Sequence, residues 1–190
     1  MSANQEYFRL TVPCPREALS SLQAGQKVLL FGSIYTARDA AHQRLVRAIE
    51  QGEALPLELR DQLIYYCGPA PAPPGRPAGS CGPTTSARMD RFLEPLLAAG
   101  LAGTIGKGNR SVDARRALRR HGAVYFLAVG GAGALISQCV REVALVAYPE
   151  LGPEAIYRMT VDAMPLLVAY DAHGGTVFSG EAPLPAEDEQ

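Results

Sequence analysis

The sequence has little of what marks a self-contained chemical site. Its four cysteines, Cys14, Cys67, Cys81 and Cys139, are scattered, and no pair shows Cys-x-x-Cys spacing. That excludes the common zinc and dithiol-redox signatures. The three histidines, His42, His121 and His173, are just as far apart, so no complete metal site can be read from neighbours. A chain of 190 residues needs no disulfide staples, and the thiols are expected to be buried and reduced. No apolar run approaches the roughly 20 residues that span a bilayer. The first nine residues are polar where a secretory signal would be hydrophobic, so no membrane partner is expected and the cytoplasm is the expected compartment. Charge of one sign is also missing. With 18 basic and 19 acidic residues the net charge is −1, which argues against a general nucleic-acid binder despite a locally basic stretch at 109–121. Two nucleotide signatures are absent: the glycines at 130, 131 and 133 do not satisfy Gly-x-Gly-x-x-Gly, and the segment around Lys107 is not a P-loop. No internal repeat interrupts the chain.

What is present is a core. An apolar content of 47% with a mean hydropathy near zero suits one folded domain over 1–190, with tails at about 1–9 and 181–190. Short apolar runs at 27–31, 63–67, 123–129 and 166–170 read as buried strands, and 7–12 as an edge strand. Helical spacing of Leu45, Val46 and Ile49, and of Met89, Phe92, Leu93, Leu96 and Leu97, predicts two helices. The segment 15–22 is a short helix candidate. Ser111 is expected to cap a helix reaching Arg120, with Arg115, Arg116, Arg119 and Arg120 as its solvated face. Gly130 onward opens a further helix with close helix–strand packing, and His173-Gly-Gly175 is a hairpin turn.

Three stretches carry candidate chemistry. In Gly79-Ser-Cys-Gly-Pro-Thr-Thr-Ser-Ala-Arg-Met-Asp90, a Pro-rich run leads into a Gly-Pro turn and a helix start. Thr84 is placed there as a cap, with Arg88 one turn on as a fork for a carboxylate. An isolated Thr-x-x-x-Arg is more often just a capped helix with a solvated arginine. Thr36-Ala-Arg-Asp-Ala-Ala-His42 resembles a capping box, Thr36 with Asp39, at a strand–loop–helix junction. It puts Arg38 where α/β proteins collect ligand-binding groups. In Gly103-Thr-Ile-Gly-Lys-Gly-Asn109, Gly106 and Gly108 allow close approach of a ligand, and Lys107 offers a point charge to an anion.

Together with Tyr65-Tyr-Cys-Gly-Pro69 and Tyr148-Pro-Glu-Leu-Gly-Pro-Glu-Ala155, these motifs occur in an order that resembles the beta subunit, or the equivalent C-terminal domain, of class I iron–sulfur fumarate hydratases. The beta subunit of L-tartrate dehydratase is a close relative. The resemblance covers about residues 10–178. It implies an α/β fold of the swivelling β/β/α type, a mixed sheet with flanking helices. It also implies a hydro-lyase active only with an alpha subunit that carries a [4Fe–4S] cluster not ligated by this chain, in a dimer of alpha–beta pairs. Carried over residue by residue, Thr84 is the catalytic residue and Arg38, Arg88 and Lys107 bind a small dicarboxylate substrate. Fumarate/malate is the expected substrate pair. The alternatives are tartrate or a related 2-hydroxy dicarboxylate, or a non-catalytic anion-binding domain of the same fold.

Overall fold

The computed structural model describes residues 7–128 and 133–184. Strand β1 (Phe8–Val12) is followed by the one-turn helix α1 (Arg16–Leu19), β2 (Lys27–Thr36), α2 (Asp39–Gln51) and β3 (Leu63–Tyr65). A 3-10 turn (Ser86–Met89) leads directly into α3 (Asp90–Ala98). Then come β4 (Gly103–Gly106), α4 (Val112–Arg120), β5 (Val124–Leu127), α5 (Gly133–Cys139) and β6 (Val140–Ala147). A second 3-10 segment (Pro149–Glu154) precedes the long strand β7 (Ile156–Tyr170).

The sheet runs β1-β2-β3-β4-β5-β7-β6, and β7 also pairs with β2. That extra pairing closes β2, β3, β4, β5 and β7 into a five-stranded barrel-like ring. The β2–β3, β3–β4 and β4–β5 pairs are parallel, whereas β7 is antiparallel to β5, β2 and β6. This is the mixed sheet with flanking helices that the motifs imply. The 15 residues of β7 let one strand serve three partners, which the sequence-predicted strand at 166–170 does not reveal.

Alternation along the strands makes two cores. One face contributes Val28, Leu30, Ile34, Leu63, Tyr65, Ile105, Val124, Phe126 and Val168 to a cluster inside the ring. The opposite face sends Ile64, Tyr66 and Tyr125 outward, where Leu45 of α2, Leu93, Leu96 and Leu97 of α3 and Leu118 of α4 cover them. The period of 2 in the strands and 3.6 in the helices therefore meet in one layer. Helix α2 stops at Gly52, whose φ of 66° is the left-handed cap conformation. Helix α4 starts where expected, with Ser111 Oγ accepting from Ala114 N–H at 3.2 Å.

The edge strand expected at 7–12 forms as β1, with Phe8 and Arg9 paired to Val28 and Leu29. Glu181 accepts hydrogen bonds from Tyr170 Oη (2.8 Å), Asn109 Nδ2 (3.2 Å) and Thr176 Oγ1 (3.3 Å). Arg115 is not on a solvated face. It is buried, pairs with Glu181 at 3.4 Å and donates to the Ala182 carbonyl at 2.6 Å. Helical periodicity could not reveal this, because the cover comes from about 65 residues later in the chain. The glycines at 130 and 131 fall outside the described residues. Gly133 packs against the 80–82 turn, where an added Cβ would come within 2.4 Å of Ser80 Oγ. No helix among the described residues is long and apolar enough to cross a membrane.

Candidate active site

Three neighbouring parallel strands end on the same side of the sheet, and each delivers part of the site. After β2 the chain turns at Ala37, whose N–H donates to Tyr65 C=O at 3.1 Å, and Arg38 becomes the N-cap residue of α2 in an extended conformation. After β3 come Tyr66, Cys67 and Gly68. After β4 comes Lys107. The C-terminal ends of parallel strands are where open α/β sheets bind ligands, because the loops and helix starts converge there.

The Thr84 segment is laid between these ends. Thr84 N–H donates to Tyr66 C=O at 2.7 Å, and Thr84 C=O accepts from Lys107 N–H at 3.3 Å. Ser86 N–H returns a bond to Lys107 C=O at 3.0 Å, so Thr85 and Lys107 form an isolated parallel bridge. Thr84 is therefore not a helix cap. Thr85 precedes the 3-10 turn and makes no side-chain cap bond. Gly106 is required by close approach, though not to a ligand: an added Cβ would lie 2.0 Å from Ser86 Oγ. Gly108, at φ 78°, forms the turn after Lys107.

The arginines are each held by a carboxylate. Arg38 Nη2 lies 3.3 Å from Glu154 Oε1, while Glu154 Oε2 accepts from Ala40 N–H at 3.1 Å. Glu154, from the 3-10 segment before β7, thus caps α2 and orients Arg38 together. Gly68 fits under Arg38 because a Cβ there would meet Pro153 C=O at 2.8 Å and Arg38 Nη1 at 3.2 Å. Arg38 Nε is buried without a hydrogen-bond partner among the described residues. Arg88 Nη2 donates to Asp39 Oδ2 at 3.0 Å. That pair is 48% and 32% exposed, a class worth about 0–1 kcal/mol, so a substrate carboxylate can displace it cheaply. No carboxylate among the described residues pairs with Lys107.

The capping box is corrected. Thr36 is the last residue of β2, and its buried Oγ1 has no hydrogen-bond partner among the described residues. Asp39 sits in the first turn, where its charge suits the helix dipole, and spends its carboxylate on Arg88. His42 is buried, and its Nδ1 lies 2.8 Å from Arg38 C=O. A carbonyl only accepts, so the proton is on Nδ1. Burial outweighs that bond and holds the His42 pKa down to about 4. The unfolded chain takes up this proton near pH 6.5 and the folded chain only near 4. Stability should therefore fall as pH drops through that window, by about 3 kcal/mol from this group alone. Urea unfolding of wild type and His42→Asn should converge as pH is lowered from 6.5 to 4. Parallel curves would show that His42 is not buried neutral.

Sequence reasoning missed Arg110 and Asp90. The Arg110 side chain is fully buried and its Nε is paired with Asp90 Oδ1. Burial works against its charge, but Tyr66 and Asp90 more than restore it and the pKa is raised. The signal available was Arg110 itself, directly after the glycine–lysine motif, but nothing local distinguishes a buried arginine from a solvated one.

The cysteines do not fit an iron–sulfur cluster. All four are free, with Cys14, Cys67 and Cys81 buried and Cys139 half-buried. The neighbouring Cys81 thiol, together with burial, pushes the Cys67 thiol well above its usual range. Among the described residues no three histidine, cysteine or acidic side chains converge on a point. Cluster ligation needs several thiolates together.

The ends of β2, β3 and β4 thus bring Arg38, Arg88, Lys107 and the Thr84 turn to one end of the sheet. The chain belongs to the family described as Fumarase C-terminus, which it matches over residues 2–181. It is 39% identical over 162 residues to "Fumarate hydratase class I, anaerobic" of Escherichia coli K12, covering 84% of this chain and 30% of that protein. Identity to "Fumarate hydratase 2" of Leishmania major is 36% over 166 residues, covering 86% of this chain and 29% of that protein. With "Putative L(+)-tartrate dehydratase subunit beta" of Methanocaldococcus jannaschii it shares 35% identity over 169 residues, 86% of this chain and 87% of that one. The chain thus spans about three-tenths of the fumarate hydratases it matches, but nearly all of a beta subunit.

Proposed function

We propose that this chain is the beta subunit of a class I fumarate hydratase, completing its active site only with a cluster-bearing alpha subunit. The reading is carried by the gathering of Arg38, Thr84, Arg88 and Lys107 at the ends of β2, β3 and β4, in a chain of this family. Three cations suit the two carboxylates of a four-carbon dicarboxylate. Removing the C–H proton builds charge onto the adjacent carboxylate, which fixed cations stabilise more in the transition state than in the substrate. Thr84 is the residue the family resemblance assigns to that proton. The leaving hydroxide needs an electrophile, which the partner supplies; the family resemblance assigns it to a [4Fe–4S] cluster there. A dimer of such pairs in the cytoplasm is the expected assembly.

Tartrate is the second reading, because the relative matched over most of its own length carries a tartrate dehydratase name. The two are separated by co-expression with the alpha subunit, anaerobic purification and assay against fumarate, L-malate and L-tartrate. Turnover of fumarate and L-malate well above that of L-tartrate is expected. The reverse preference would reassign the substrate, and inactivity on all three would leave a non-catalytic anion-binding domain.

A further inference from the structure

The turn bearing Thr84 and Arg88 and the turn bearing Lys107 are separate in sequence, and their relative placement decides whether they act on one substrate. Their backbones meet directly through only two bonds, Lys107 N–H to Thr84 C=O and Ser86 N–H to Lys107 C=O. A pairing this short on a partly exposed edge opens readily unless something behind it is fixed.

Behind it lies a buried polar cluster. Asp90, the first residue of α3, accepts from Ser111 N–H through Oδ2 at 2.7 Å and from Arg110 Nε through Oδ1. Arg110 is held from several sides. Its Nη1 donates to Thr104 Oγ1 at 3.2 Å and its Nη2 to Tyr66 Oη at 3.4 Å. The guanidinium also lies 5.4 Å from the Tyr66 ring centre and 5.0 Å from that of Tyr125. Tyr125 Oη donates to Gly108 C=O at 2.8 Å and pairs with Ser86 Oγ at 2.9 Å. The two Asp90 bonds join the 84–90 segment to the 104–111 segment, and Tyr125 ties both to β5 through Ser86 and Gly108.

This guanidinium is spent entirely inside the protein and has no face left for a substrate anion. A buried ion pair is also a poor way to gain stability, since apolar residues of similar volume commonly do as well or better. What a planar guanidinium bonded through Nε, Nη1 and Nη2 to three different side chains does supply is a fixed position and orientation.

We propose that Arg110 and Asp90 are positioning residues that clamp the Thr84–Arg88 turn against the Lys107 turn. The inference rests on the hydratase reading for its catalytic consequence, but not for its geometry. Arg38 lies outside the clamp, because Glu154 holds it from the other side of the site. Loosening the clamp therefore shifts Thr84, Arg88 and Lys107 relative to one another and to Arg38, and misplacement of reacting groups by about 1 Å can cost up to about 100-fold in rate.

The test uses two variants of the full chain. Asp90→Asn keeps shape and an acceptor for Ser111 N–H but removes the charge facing Arg110; Arg110→Lys keeps charge and loses the fork. In both, amide hydrogen exchange at Ser86 and Lys107 should accelerate about tenfold, while amides in the β2–β7 pairing keep their wild-type rates. Reconstituted with the alpha subunit, both should lose about tenfold in kcat, with KM rising as Arg88 and Lys107 shift. Unchanged exchange at Ser86 and Lys107 in both variants would overturn the proposal. So would faster exchange throughout the sheet with kcat intact, the pattern of a purely structural pair. If the wild-type complex turned over no dicarboxylate while exchange still changed only at the two turns, the hydratase reading would fail and the clamp would stand.

Discussion

Replacing Arg88 with lysine is expected to lower kcat/KM for fumarate by two to three orders of magnitude, about 3–4 kcal/mol of lost transition-state stabilisation. The charge is preserved, so the loss measures geometry. Arg88 donates through Nη2 to the half-buried Asp39. Exchanging that contact for a bidentate grip on a substrate carboxylate places both substrate oxygens, which a single ammonium cannot do. The fold should be indifferent, because an exposed ion pair contributes about 0–1 kcal/mol and the buried residues of the turn are Ser86 and Met89. Steady-state kinetics of the reconstituted enzyme, with a melting curve as control, checks both halves. Near-normal activity in Arg88→Lys would remove Arg88 from the site.

Thr84→Ala and Thr84→Ser should diverge. If the hydroxyl moves the proton, serine keeps partial activity while alanine loses about two to four orders of magnitude in kcat, the range for general acid–base groups. A free hydroxyl is a weak base near neutral pH, so a carboxylate must activate it. Asp90 is committed to Arg110 and Ser111, and the family resemblance assigns this part to a carboxylate of the partner. Because Thr84 is fixed through its backbone N–H and C=O and not as a helix cap, Thr84→Ala should leave the melting temperature nearly unchanged. Equal rates for the two variants would reduce Thr84 to a structural role.

The parts of the site legible in sequence are those where function forces unusual local composition. The Gly-Pro-Thr-Thr turn, the arginine opening α2 and the lysine between two glycines each stand out from their surroundings and each lie just beyond a strand end. What sequence could not show is what holds them. Glu154 reaches Arg38 from 116 positions later in the chain, and Arg115 is covered by the segment at 181–182. Arg110 reads as one more basic residue in a basic stretch, and only the fold brings Tyr66, Asp90 and Tyr125 around it. Thr36 and Asp39 have capping-box spacing, but Thr36 is committed to the β2–β3 and β2–β7 pairings and the helix begins only at Asp39. Closure of the ring was hidden for a similar reason. It depends on one long strand switching partners, and Pro165 and the left-handed Ala163 within β7 break the alternation by which a strand is recognised.

The division of labour between this chain and its partner is tested most directly by purifying the chain alone. The expected protein is folded, colourless and without activity on fumarate or L-malate, since its cysteines do not converge and its site offers cations and a hydroxyl without an electrophile for the leaving group. Adding the cluster-bearing alpha subunit under anaerobic conditions should restore hydration of fumarate, and air should then abolish it. Hydration of fumarate by the single chain, or stoichiometric iron–sulfur binding through Cys14, Cys67, Cys81 and Cys139, would contradict the account.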